Sequence, residues 1–248
     1  MIPLSDTNYR ERFPFVNITL IVVNVLVYGY EVSLSNLTLG RTTQALIDFF
    51  EKWAVVPAEY TSGVSIGADP PLQFLTLFSA MFMHGSLLHI ASNMLFLWVF
   101  GDNIESNMGH LKYLVFYLLS GVLASFAHIF FNINSDVPSL GASGAIAGVL
   151  AAYLVLFPRA QVRTLIIIVI FITVTRVSAL VLIGIWFLLQ FFQGLASLGM
   201  AQSESGGVAV WAHVGGFVAG LILVIFFRGR RKRTRPGGYH PGPPRGGY

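Results

Sequence analysis

The chain has 248 residues, of which 55% are hydrophobic and 10% charged, and its mean hydropathy is +0.72. A soluble domain carries about 25% charged residues, so the composition excludes an ordinary soluble protein and indicates a polytopic membrane protein. No cysteine is present, which excludes disulfides, thiolate metal sites and a thiol nucleophile.

Residues 1–13 form a polar N-terminal segment with Arg10 and Arg12. The apolar run that follows lacks a small-x-small cleavage site and is read as a retained first span. A bilayer core of roughly 30 Å needs about 20 apolar residues as helix. Six runs qualify, at about 14–31, 86–104, 112–131, 143–158, 178–197 and 208–227. The fold expected is an all-α, six-helix membrane bundle over 14–227. A long outer loop at about 32–85 contains Pro57, Pro70, Pro71 and the amphipathic stretch from Ala45 to Val56; loops of that length are usually structured or functional. Thr164 to Thr175 is apolar but only 12 residues long. It is too short to span and is read as an interfacial or buried stretch of an inner loop. The tail, 228–248, is basic and then rich in Gly and Pro. It is expected to be disordered and drawn to anionic lipid.

Lys and Arg set the orientation. With both termini cytoplasmic, thirteen of the fifteen basic residues lie inside, and only Arg41 and Lys52 lie outside. This distribution accounts for the net charge of +4 without nucleic acid.

Three even-numbered spans enter from outside with polar groups at their heads. The second begins His84-Gly-Ser-Leu-Leu-His89-Ile-Ala-Ser-Asn93. His89 and Asn93, four apart, share a helix face, and His84 falls in the loop before it. The fourth begins with Ser143 in Gly141-Ala-Ser-Gly144, and the sixth with His213 in Ala212-His-Val-Gly-Gly216. A serine and a histidine at matching depth suggest a nucleophile and its base. Small residues recur every four positions at Gly144, Gly148 and Ala152 and at Ala212, Gly216 and Gly220. Such stripes let two helices approach closely, so these faces are expected to meet. Asn93, His89 and the Ser143 backbone N–H are candidate oxyanion donors. No acid is placed to orient His213, so a dyad is expected. Asp102 and Glu105 sit at the inner end of the second span and are read as a structural pair, with Lys112 or Arg159 as candidate partners. His84 and His89 lack a third ligand and the His-Glu-x-x-His pattern, so no zinc site is expected.

On these residues the chain resembles the rhomboid intramembrane serine proteases. The matching set is His84-x4-His89-x3-Asn93, Gly101-x3-Glu105-x3-Gly109, Gly141-Ala-Ser143-Gly144 and Ala212-His213-x-Gly215-Gly216-x3-Gly220, over about 70–225. The resemblance implies a Ser143–His213 dyad and an oxyanion hole lined by His89 and Asn93. His84, Gly141, Gly144 and Gly216 support it. It further implies single-span membrane proteins as substrates within the lipid bilayer, and neither cofactor nor metal. A bacterial plasma membrane is the expected location. Two positions depart from the family. Ala147 stands where some members carry an aromatic that stacks on the histidine, so something else must orient His213. Trp53 is followed by Ala54, where some members have Trp-Arg. The alternatives are an inactive rhomboid-like protein that binds membrane clients, and a transporter, which predicts internal repeats that the chain lacks.

Overall fold

The computed structural model describes residues 1–8, 12–35, 42–61, 72–168, 170–197 and 209–229. Among the described residues, five helical stretches are long and apolar enough to cross a membrane. They are α1 (Phe15–Leu34), the continuous run Leu87–Met108, α7 (His110–Phe131), α9 (Ala179–Ser197) and α10 (Val210–Phe227). The run Leu87–Met108 consists of α5 (Leu87–Phe96), a π turn (Leu97–Gly101) and α6 (Asp102–Met108). It extends past the expected end at about residue 104, to Met108. At the π turn the Leu97 carbonyl accepts a 3.0 Å hydrogen bond from Asn17 Nδ2, a side-chain intrusion of the kind that breaks the regular ladder.

The remaining expected span, the fourth, is α8 (Ser143–Leu156), with 14 residues. At 1.5 Å per residue it is about 21 Å long, short of the bilayer core. It is also the central helix. Every residue from Gly144 to Tyr153 is buried, with α7 and α10 packed along it. A helix wrapped by its neighbours needs no lipid-matched length.

The expectation of a wholly α chain is corrected by a three-stranded sheet. β1 (Ile2–Asp6) pairs with β2 (Gln161–Ile168), which pairs with β3 (Phe171–Ser178), both antiparallel. The apolar stretch 164–175 is therefore a β-hairpin. Its run of Ile, Val, Thr and Phe favours a pleated strand over a helix. Val162 and Thr164 face the core and are fully buried. The N-terminal residues are thus built into the fold. The Asp6 carboxylate accepts from the Tyr153 hydroxyl (2.5 Å) and from Asn103 Nδ2 (2.9 Å), and burial raises its pKa above the usual carboxylate range.

The described residues of the long loop after α1 form α2 (Gln44–Trp53), α3 (Pro57–Thr61) and α4 (Gln73–Ser79), with a 3-10 turn at Ala80–Phe82. Val55 and Ser139 exchange two backbone hydrogen bonds, 3.0 and 2.8 Å. That bridge ties the loop to the segment leading into α8. The Gly- and Ser-rich stretch 198–207, which the sequence suggests as a lid, and the tail beyond Gly229 lie outside the described residues.

Glu105, on α6, is fully buried. Its carboxylate accepts from the backbone N–H groups of Val16 (2.9 Å) and Asn17 (2.7 Å) and contacts His110 Nδ1 at 2.5 Å. It caps the start of α1, whose own N-cap residue Pro14 makes no side-chain cap. The expected partners Lys112 and Arg159 are replaced by helix-terminal N–H groups, which a carboxylate at a helix N-terminus satisfies directly.

Candidate active site

The glycine stripes place the reacting groups. A Cβ on Gly148 would lie 3.2 Å from the Gly216 carbonyl oxygen, and one on Gly220 would lie 2.5 Å from Gly148 Cα. Only glycine permits these approaches, so α8 and α10 lie backbone to backbone, as their spacing predicts. Ser143, the first residue of α8, and His213, in the first turn of α10, then meet with Oγ 2.7 Å from Nε2. That distance is within direct proton-transfer range.

The imidazole has a second partner. His213 Nδ1 is hydrogen-bonded to Gln190 Oε1 on α9. The Trp186 ring, one turn earlier on the same helix, sits with its centroid 5.8 Å from the imidazole. Position 147 is a fully buried alanine and contributes no ring. The orienting contacts missing from α8 thus come from α9. Gln190 was not singled out from the sequence. The signal available was its place in the seam Ile183, Phe187, Gln190 and Gly194, the only amide on a face otherwise apolar or small.

The second span brings its polar groups to the same place. Ser86 caps α5 by accepting from the His89 N–H (3.2 Å). His84 sits in the loop before the helix, 1% exposed, with Nε2 3.0 Å from Asn93 Nδ2. The His84 and His89 rings lie edge to face at 5.0 Å. Burial, with His89 beside it, pushes the His84 imidazole down to about 3, so it stays neutral and accepts from Asn93. The His84 backbone N–H is held by both oxygens of Glu31 at 3.2 Å. Glu31 is a buried carboxylate in the last turn of α1, and it too escaped the sequence reading because its partner lies 53 positions away.

Gly141 closes the site. Its φ is +131°, and its N–H donates to the Ala80 carbonyl (2.8 Å). A Cβ there would sit 2.8 Å from His89 Cε1 and 3.7 Å from Ser143 Oγ. The His89 ring therefore lies against the glycine that leads into Ser143. All eight residues singled out from the sequence converge on this region: His84, His89, Asn93, Gly141, Ser143, Gly144, His213 and Gly216. His128, on α7, is buried, and its Nδ1 lies 3.2 Å from Asn132 Nδ2, one turn on.

Residues 71–230 match the family model described as the Rhomboid domain. Curated relatives agree. The human presenilin-associated rhomboid-like protein, mitochondrial, is 32% identical over 207 residues, covering 77% of this chain and 50% of the relative. Rhomboid protein 1, mitochondrial, of Saccharomyces cerevisiae is 30% identical over 119 residues, 46% of this chain and 31% of the relative. Rhomboid protease GluP of Bacillus subtilis is 40% identical over 78 residues, 32% of this chain and 15% of the relative. The chain spans half or less of the length of these relatives. Two of the three carry mitochondrial names, so these relatives do not point to the expected bacterial plasma membrane. The chain is a multi-pass membrane protein of the rhomboid family.

Proposed function

We propose that the protein is an intramembrane serine endopeptidase that cuts single-span membrane proteins in or near their transmembrane segment. The observation that carries this reading is the 2.7 Å contact between Ser143 Oγ and His213 Nε2 at the heads of two membrane helices. Ser143 Oγ attacks the scissile carbonyl as His213 Nε2 takes the hydroxyl proton. The imidazolium returns that proton to the leaving amine. A water, deprotonated by the same nitrogen, then hydrolyses the acyl-enzyme. Asn93 gives one amide N–H to His84 and keeps a second for the oxyanion. The Ser143 N–H, at a helix start and so unused by the helix, is another donor. His89 supplies a third. In this reading all six helices cross, and both termini lie on the basic, cytoplasmic face.

The test is reconstitution in liposomes with a single-span substrate, comparing the protein with Ser143→Ala and His213→Ala at equal folded amount. Cleavage should vanish in both variants, and a fluorophosphonate should label Ser143 only when His213 is intact. Cleavage that persists in Ser143→Ala removes the nucleophile. Absence of both labelling and cleavage in the unaltered protein moves the reading to a client-binding member of the family.

A further inference from the structure

We propose that Gln190 is the positioning residue of this site, holding His213 from α9 in the tautomer that leaves Nε2 free to take the Ser143 proton. The inference rests on the reading of Ser143 and His213 as a dyad.

An amide oxygen accepts hydrogen bonds and cannot donate them. Gln190 Oε1 faces Nδ1, so Nδ1 must carry the ring proton and Nε2 must carry the lone pair. That lone pair points at Ser143 Oγ, 2.7 Å away. The amide is itself oriented, because its Nε2 donates to Gln193 Oε1 at 3.2 Å. Exchanging its oxygen and nitrogen would set two amide oxygens against each other at Gln193.

The neighbours of Gln190 in the seam are apolar. Phe187 stacks on Phe217 at 4.2 Å, and Gly194 fits against Trp211, where a Cβ would come within 3.3 Å of the indole ring. Placing an amide between two such packing contacts is unfavourable unless it is hydrogen-bonded. The bond to His213 satisfies it.

The helix that carries Gln190 adds a consequence. Of the 19 residues of α9, only Ala179, Leu182, Ile183 and Gly194 are buried. The dyad is thus oriented from a helix with few packed residues, and the contact at Gly194 holds that helix to α10. Displacing α9 should release the imidazole even with Gln190 present.

The full chain, labelled with 15N-histidine in lipid bicelles, tests both statements. The His213 signals are assigned by their loss in His213→Ala. In the unaltered protein and in Gln190→Glu, which keeps an acceptor, His213 should be the Nδ1–H tautomer. In Gln190→Leu it should redistribute towards Nε2–H, and the rate of fluorophosphonate labelling at Ser143 should fall about 10²-fold while thermal unfolding hardly moves. Gly194→Leu should shift the tautomer in the same direction. An unchanged tautomer in Gln190→Leu overturns the proposal, whatever happens to labelling. An unchanged tautomer in Gly194→Leu overturns the dependence on helix position. A tautomer that follows Gln190 in a protein that Ser143 probes never label would sustain the positioning role and remove the dyad.

Discussion

Gly216 faces Gly144 so closely that a Cβ added to Gly216 would fall on the Gly144 carbonyl group. This backbone contact sets the distance between α8 and α10, and hence between Ser143 and His213. Gly216→Ala should therefore injure catalysis more than stability. Overpacking costs about 1–3 kcal/mol, whereas a displacement of about 1 Å can lower a rate about 10²-fold. The control is Gly184→Ala on α9, where a new Cβ meets nothing within 4 Å; it should stabilise by about 0.5–1 kcal/mol and leave turnover alone. Thermal unfolding and kcat, measured for both variants, check this. Equal effects at the two positions would mean the close contact does not set the geometry.

The Ser143–His213 pairing was legible because two local patterns, small residues every four positions and polar groups at helix heads, survive in a single sequence. The contributions of Gln190, Glu31 and Glu105 were not, for a common physical reason. Each takes its meaning from a partner on another element, far away in the sequence. The Glu105 carboxylate takes the N–H groups of α1 rather than a lysine or arginine, and backbone donors carry no sequence signature. The hairpin 161–178 was hidden differently. Hydropathy reports how apolar a run is and says nothing of its backbone. The β-branched residues of that run were the available signal.

His84 makes the fold acid-sensitive. Its folded pKa is lowered from 6.5 to about 3, so between those values the unfolded chain binds a proton that the native chain refuses. Stability is fully present above about pH 6.5 and is lost as pH falls towards 3, by up to a few kcal/mol on the order of 1.4 kcal/mol per unit. His84→Gln keeps an acceptor for Asn93 and removes the titration. Its unfolding temperature should fall less steeply than that of the unaltered protein between pH 6.5 and 4. Parallel curves would show that His84 is not the source.

Gly141 should tolerate no side chain. Its φ of +131° lies where other residues are strained by about 1–3 kcal/mol, and the new methyl would push the His89 ring off its position. Gly141→Ala is expected to reduce kcat about 10²-fold, the loss typical of one oxyanion donor, with a smaller change in KM. A variant that kept its full kcat would exclude His89 from the oxyanion hole.

Glu105→Ala should destabilise the fold more than any change at the dyad. It would leave the Val16 and Asn17 N–H groups of α1 without their acceptor in a buried site, at about 1–3 kcal/mol each, and would open a cavity beside His110. Glu105→Gln keeps one oxygen and can serve one N–H while its NH2 faces the other, so an intermediate loss is expected. Ser143→Ala, by contrast, removes one hydroxyl and should leave unfolding nearly unchanged. Thermal unfolding of the three variants in one detergent orders them. If Glu105→Ala unfolds no earlier than Ser143→Ala, the carboxylate is not what holds the start of α1 against the second span.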